Sequence, residues 1–397
     1  MRKIAVLSLS ICLLLAGCTI APRPDVLCIY YPEWHVYPEG DLIFGKGRTE
    51  WDLVNTATAR FPGHDQPIRL RDGCPDDSDP GDVAKEIDYA ADAGIDAFLY
   101  DWYWADHHPI QHEALEDGFL KAPNRSRMRF AIMWAYHDRT DAFRPAPGHA
   151  EDRLFWKLAH TPEEFREAIG YCISKYFGQP NYYLRNGEIF FSIYAASKFV
   201  KTNGGPEKVR GLFAEAQEMA KAAALPRIHF SAMVWTPGEV QEVVDAGFES
   251  TSAYCMSTDF FVDGDIRPLN GERVFKYSEF VATHKSYNAS LAAVSPAHIP
   301  VAARGWDISP RCRLEEPFPW RQAIYPYNGI VHGATPEAFA EILRTARSQA
   351  ENDSNRPGAV ILNAWNEYTE GSYLMPDVKN GDAYLRAVKS VFGKEGK

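Results

Sequence analysis

Ala359-Val360-Ile361-Leu362-Asn363-Ala364-Trp365-Asn366-Glu367-Tyr368-Thr369-Glu370-Gly371 is a short apolar run that ends abruptly in two acids bracketed by aromatic residues. The run has the length of a strand buried on both faces. Its C-terminal end delivers Asn366, Glu367 and Glu370 to one place. Two carboxylates three residues apart at a strand exit suit acid/base chemistry on a polyhydroxylated substrate.

Seven further apolar runs have the same character. Val26–Tyr31, Ala97–Trp102, Phe130–Trp134, Ile189–Tyr194, Ile228–Trp235, Ser250–Ala253 and Pro300–Arg304 join Ala359–Asn363 as predicted strands. Amphipathic helices separate them. Thr161-Pro162-Glu163-Glu164 reads as a capping box with proline in the first turn. Phe165, Ala168, Ile169, Cys172 and Ile173 then form one apolar face. Val209, Leu212, Phe213, Ala216 and Met219 make a second such face, and Thr335-Pro336-Glu337 opens a third helix with Phe339, Ile342, Leu343 and Ala346 inside. Eight strands alternating with helices predict an α/β protein: a single (β/α)8 TIM barrel with long βα loops. A doubly wound open sheet is the other arrangement, but no glycine-rich phosphate loop follows Val26–Tyr31. The stretch between Pro32 and Pro80 lacks periodicity and is long enough to be a functional loop.

Residues 1–17 read as a lipoprotein signal: Arg2 and Lys3, an apolar run from Ile4 to Leu14, then Leu15-Ala16-Gly17-Cys18. Cys18 is the residue expected to carry lipid, residues 18–25 a linker, and residues 26–397 the catalytic domain. Thr19 after the cysteine favours an outer-membrane lipoprotein, anchored through its acyl chains. Loss of Arg2 and Lys3 leaves 40 basic against 53 acidic residues, a net charge of −13. An acidic chain without a basic stripe argues against nucleic acid as a partner. Cys28, Cys74, Cys172, Cys255 and Cys312 are widely spaced with no paired motif, which gives zinc no support. Cys28 and Cys172 lie in apolar patterns and read as core.

The strand ends carry the chemistry. They collect Glu33, Asp101, Trp102, Tyr103, Trp134, His137, Asp138, Trp235, Tyr254, Arg304, Trp306, Asp307 and Asn366 around Glu367 and Glu370. Aromatic and ionisable residues gathered at one end of a barrel suit a glycan cleft. Glu367 and Glu370 are the candidate catalytic pair, since glycosidic cleavage needs a proton donor and a second carboxylate. Asp101 is either a third carboxylate of the cleft or a strand-end acceptor for a backbone N–H. Arg304 is placed either to orient a catalytic glutamate or to pair inside the barrel. Glu33, His35, His137 and Asp138 offer a metal reading without the spacing of a known metal motif. No metal, cofactor or nucleotide is expected, and the partner is a glycan.

Pro32-Glu33-Trp34-His35, Gly45-Lys46-Gly47-Arg48-Thr49-Glu50-Trp51 and Pro62-Gly63-His64-Asp65-Gln66-Pro67 resemble the opening of WbsX-type proteins. Asp101-Trp102-Tyr103-Trp104, Met133 to Asp138, Gly305 to Arg311 and Asn363 to Gly371 continue the match. That family is catalogued as glycosyltransferases of polysaccharide biosynthesis and is similar to glycoside hydrolase family 99. Tyr136, Arg139, Tyr368 and Met375 depart from the usual pattern. The resemblance implies a retaining glycoside hydrolase. In it Glu367 would deprotonate the substrate's 2-hydroxyl to form a 1,2-anhydro sugar, and Glu370 would be the general acid and later the base. A transferase and a non-catalytic glycan-binding lipoprotein are the alternatives. A transferase needs nucleotide-sugar donors, which an exported lipoprotein does not meet.

Overall fold

The computed structural model describes residues 23–140, 154–157, 161–256, 274–312, 325, 329–352 and 358–393. The expected signal, Cys18 and most of the linker lie outside them. Eight parallel strands form one sheet: β1 Asp25–Tyr30, β2 Ala97–Ala105, β3 Arg129–Trp134, β4 Glu188–Ile193, β5 Ile228–Met233, β6 Ser250–Ser252, β7 Val301–Ala303 and β8 Ala359–Asn363. Their spatial order is β6-β5-β4-β3-β2-β1-β8-β7. The ring is drawn shut between β6 and β7 by Thr251, whose N–H donates to the Ala297 carbonyl (2.8 Å) and whose carbonyl accepts from Ile299 N–H (2.7 Å). An open doubly wound sheet has no such closing contact, so the barrel expectation holds over its alternative.

All nine residues of β2 and all five of β8 are buried, as strands covered on both faces require. The covering helices are α1 Pro80–Ala93, α2 Pro162–Cys172, α3 Pro206–Ala222, α4 Pro237–Asp245, α5 Tyr277–Ala292, α6 Pro336–Glu351 and α7 Ala383–Phe392. Helices α2 and α6 start where the sequence says they must, and α1 opens on an N-cap of the same kind. Asp79 accepts from Gly81 and Asp82 N–H, Thr161 and Glu164 form the reciprocal capping box, and Thr335 accepts from Ala338 N–H. The predicted inward faces are buried except at Ile173 and Met219, which pack half-buried at the edge of the core. Cys28 and Cys172 are core residues, and Cys74 is exposed. The loop between β1 and α1 carries two short helices, Gly40–Phe44 and Trp51–Thr56, which bring Glu50 to the end of the barrel. Among the described residues no helix is long and apolar enough to cross a membrane.

One acid in this layer makes stability depend on pH. Glu86 on α1 is 2% exposed and accepts from the indole N–H of Trp365 at 3.0 Å. Burial, reinforced by Asp77, pushes its carboxyl up to about 8 from 4.5. Between those values the folded chain holds a proton that the unfolded chain has lost, so stability falls as pH rises through that window. Glu86→Gln keeps the acceptor and removes the titration. The variant is expected to gain on the parent by up to a few kcal/mol, about 1.4 per pH unit crossed. Urea unfolding of both proteins on either side of the window checks this, with coincident pH profiles as the contrary result.

Candidate active site

The strand β8 sets the site. Trp365 N–H donates to the Ile29 carbonyl (2.7 Å), and the Asn366 side chain clamps Tyr31 by donating to its carbonyl (2.8 Å) and accepting from its N–H (2.7 Å). Asn366 and Glu367 then pair antiparallel with Tyr373 and Ser372 across a single 3-10 turn, Tyr368–Glu370. Gly371 closes that turn at a φ of 68°. A Cβ there would stand 2.6 Å from the Asp307 Cβ, so the return needs glycine on both counts. Glu367 and Glu370 thereby come off one tight, doubly anchored loop.

Both carboxylates meet one arginine. Arg311, 3% exposed on the turn after β7, directs Nη1 to Glu370 Oε1 (2.8 Å) and Nη2 to Glu367 Oε2 (3.4 Å). The same guanidinium reaches Glu50 Oε1 (3.0 Å) and the Thr369 hydroxyl (2.9 Å). Glu370 also accepts from the Tyr325 hydroxyl at 3.0 Å. Three buried acids on one cation leave negative charge in excess. Burial, then the Glu370 carboxylate, push the Glu367 carboxyl well above the usual range, against the pull of Arg311.

Glu367 belongs to a proton-sharing chain. The Tyr254 hydroxyl stands 2.7 Å from Glu367 Oε1 and 3.2 Å from Asp101 Oδ2. One hydroxyl proton cannot serve two carboxylates. Burial, with Glu370 adding, holds the Asp101 carboxyl well above its ordinary range against the hydrogen bond from Tyr254. The other Asp101 oxygen has no hydrogen-bond partner among the described residues.

Above these acids opens a cavity of about 380 Å3. Tyr103, Tyr194, Trp235, Tyr254, Trp306 and Tyr325 give it aromatic walls, with Asp101, His137, Asp138, Arg139 and Arg311 between them. His137 donates from Nδ1 to the Asp138 carbonyl (3.1 Å), leaving Nε2 as an acceptor. Burial and the nearby Arg139 lower its pKa to about 4, so the imidazole is neutral. Rings with interspersed acids, hydroxyls and a neutral imidazole can stack on sugar C–H faces and hydrogen-bond hydroxyls.

Of the residues expected here, Glu367, Glu370, Asp101, Tyr103, His137, Asp138, Trp235, Tyr254 and Trp306 line this cavity. Six others are elsewhere. Trp102 and Trp134 are paired neighbours in register on β2 and β3 and point outward, packing on each other and on Tyr176 or Phe165. Asn366 is consumed by its clamp on Tyr31. Glu33 is fully buried behind the wall, held by Arg139, Tyr31 and Tyr37. Arg304 is not the arginine that orients the glutamates; it lies between the rings of Tyr373 and Tyr384, and Arg311 holds the acids. Asp307 faces away, accepting from His64 (2.9 Å) and Gln66 (2.8 Å). Arg311, Arg139, Glu50, Tyr31, Tyr194 and Tyr325 had no assigned role. Arg311 and Glu50 carried a usable signal, as members of the Gly305–Arg311 and Gly45–Trp51 motifs, and Tyr31 and Tyr194 as the ends of predicted strands.

The four residues of the metal reading do not assemble. His35 is bound to Asp77 at 2.6 Å and Glu33 to Arg139. Among the described residues the grouping with ligand-like spacing is Glu188, His229 and Glu249 at the opposite end of the strands, where Arg227 ion-pairs both carboxylates.

Comparison with solved structures places the barrel among glycoside hydrolase folds. The GH99 endo-alpha-mannosidase of Bacteroides thetaiotaomicron superposes with a TM-score of 0.58 at 17% identity, covering 92% of this chain and 95% of that one. A glycoside hydrolase-like protein gives 0.63 at 13% identity, with 94% and 95% covered. The uncharacterized protein WxcX of Xanthomonas campestris pv. campestris (strain B100) is 25% identical over 372 residues, 92% of this chain and 49% of the relative. The chain thus spans about half the length of the curated relatives it matches. The family model described as Glycosyltransferase WbsX matches residues 26–388, from β1 through most of the last helix, and the chain belongs to that family.

Proposed function

We propose that this protein is a retaining glycoside hydrolase acting on a polysaccharide or oligosaccharide. The observation that carries the reading is Glu367 and Glu370 side by side on Arg311 at the foot of an aromatic-walled cavity. Glu367 takes the proton of the sugar 2-hydroxyl while O2 attacks C1 and Glu370 protonates the departing glycosidic oxygen. The product of this step is a 1,2-anhydro sugar. Glu370 then removes a proton from water attacking C1, the C1–O2 bond opens, and O2 recovers its proton from Glu367. Two inversions give net retention. Burial makes Glu367 a stronger base than a solvated carboxylate, which suits it to a hydroxyl proton. The fold shared with a GH99 endo-alpha-mannosidase supports the class of reaction.

The transferase reading rests on the family's description. Compartment weighs against it: the mature chain is anchored at the outer membrane through acylated Cys18, away from nucleotide-sugar donors. The decisive assay incubates the mature protein with a glycan library, with and without UDP- and GDP-sugars, and follows product anomers by NMR. Release of the retained anomer without any donor is the expected result. Product formed only with a nucleotide sugar would overturn it.

A further inference from the structure

Beyond Trp306 lies a second cavity of about 230 Å3, bounded by the loop from His64 to Arg69, the end of β7 and the loop after β8. Trp306 stands in the wall of both cavities. Asp307 N–H donates to the Glu370 carbonyl at 2.6 Å, so the partition is the backbone that carries a catalytic candidate. Both cavities open at the same end of the barrel.

Arg304 lines this second space. It is 7% exposed, with its guanidinium carbon 3.9 Å and 4.0 Å from the ring centroids of Tyr373 and Tyr384. Stacking fixes the plane of the guanidinium, and the Tyr373 and Tyr384 hydroxyls bear on its Nη side. Among the described residues its Nε has no acceptor, and the nearest carboxylate, Asp377, ion-pairs with Nη2 at 3.7 Å without reaching hydrogen-bond distance. The acids around it are already supplied with donors. Asp307 accepts from His64, Gln66 and the Ser309 amide; Asp377 accepts from the Tyr373 hydroxyl and from Asn380; Asp65 pairs with Lys379. What the Nε edge of Arg304 lacks, among the described residues, is therefore an acceptor. A buried guanidinium left short of acceptors is costly, and a planar oxyanion is the group that matches its fork.

Resting on the glycosidase reading of the first cavity, we infer that the second cavity is a subsite for a sugar residue bearing an oxyanion, carboxylate or sulfate, bound by Arg304. The substrate is then an acidic glycan that crosses Trp306, with a charged residue beside the one that is cleaved.

Calorimetric titration of the intact mature protein tests this without requiring turnover. The probes are short oligogalacturonates, the same oligomers methyl-esterified, sulfated carrageenan oligosaccharides and neutral manno-oligosaccharides. At least one acidic probe is expected to bind about ten-fold or more tighter than the neutral ones. If that probe is the galacturonate, esterification abolishes the advantage; if it is the carrageenan, the recognised group is sulfate. Arg304→Gln should erase the preference and Arg304→Lys retain part of it, with thermal unfolding confirming both folds. Should the glutamine variant fail to fold, Ala334→Trp at the rim fills the cavity instead and should remove the same preference. Equal binding of acidic and neutral probes, or a preference that survives in folded Arg304→Gln or in Ala334→Trp, overturns the assignment. Unaltered turnover in Glu367 and Glu370 variants would sink the glycosidase reading while leaving this binding difference intact, so the two can fail separately.

Discussion

Glu370→Gln and Glu367→Gln are each expected to lower kcat/KM by about two to four orders of magnitude, the range supplied by a positioned acid or base. Both changes are isosteric. In Glu370→Gln the side-chain oxygen still accepts from Arg311 and Tyr325, and in Glu367→Gln it still accepts from Tyr254. Thermal unfolding should therefore stay close to that of the parent. The two losses differ in kind. In the first step the acid is needed only when the leaving group is poor, so Glu370→Gln recovers kcat/KM on an activated aryl glycoside, though not kcat, and Glu367→Gln recovers neither. The pH profile separates them again. The working form of Glu367 is ionised, and burial raises its pKa, so the acidic limb of kcat/KM lies above the ordinary carboxylate range. Activity rises with pH through that limb. Removing Glu367 should abolish it. Near-parental rates in both variants on any substrate found would leave the pair structural.

The barrel was legible because its strands are short runs covered on both faces, a pattern that survives in composition alone. Their ends also marked one face of the molecule, which located Glu367, Glu370, Asp101 and Tyr254. What the ends could not give was side-chain direction. Asp101 and Tyr103 face the cavity, so alternation turns Trp102 outward, and the in-register pairing of Trp102 with Trp134 turns that residue outward too. Reading the alternation from Asp101 would have excluded Trp102 directly. The two arginines after β7 were exchanged for a different reason. Arg304 sits at the strand end, where catalytic groups are sought, whereas Arg311 reaches the glutamates from a 3-10 turn seven residues later. Loop course alone decides between them. Glu50 stood in the Gly45–Trp51 motif, but its place in the site was hidden for the same reason, since the long segment after β1 has no periodicity from which to trace its return to the barrel axis.

Arg311→Met is expected to be the most damaging single change. The guanidinium is the cation that Glu50, Glu367 and Glu370 share, and all three acids are 6% exposed or less. Removing one partner of a buried ion pair costs about 3–5 kcal/mol, because the remaining charge keeps no compensation. Here three acids lose it together, and the chain escapes by taking up protons. Glu50 is already raised by burial against the pull of Arg311, and the substitution removes that pull. In the variant the folded state binds more protons than the unfolded state above the normal carboxylate pKa, so the lost stability grows as pH rises. Urea unfolding should show the deficit shrinking toward acid pH; a pH-independent deficit would point to lost packing instead. Activity moves in the same sense, since Arg311 lowers the pKa of Glu367 and its loss drives the acidic limb of kcat/KM to still higher pH. Arg311→Lys restores the charge but not the fork that reaches Glu367 and Glu370 from separate nitrogens. That variant should recover much of the stability and little of the turnover, a split that a purely structural arginine would not produce.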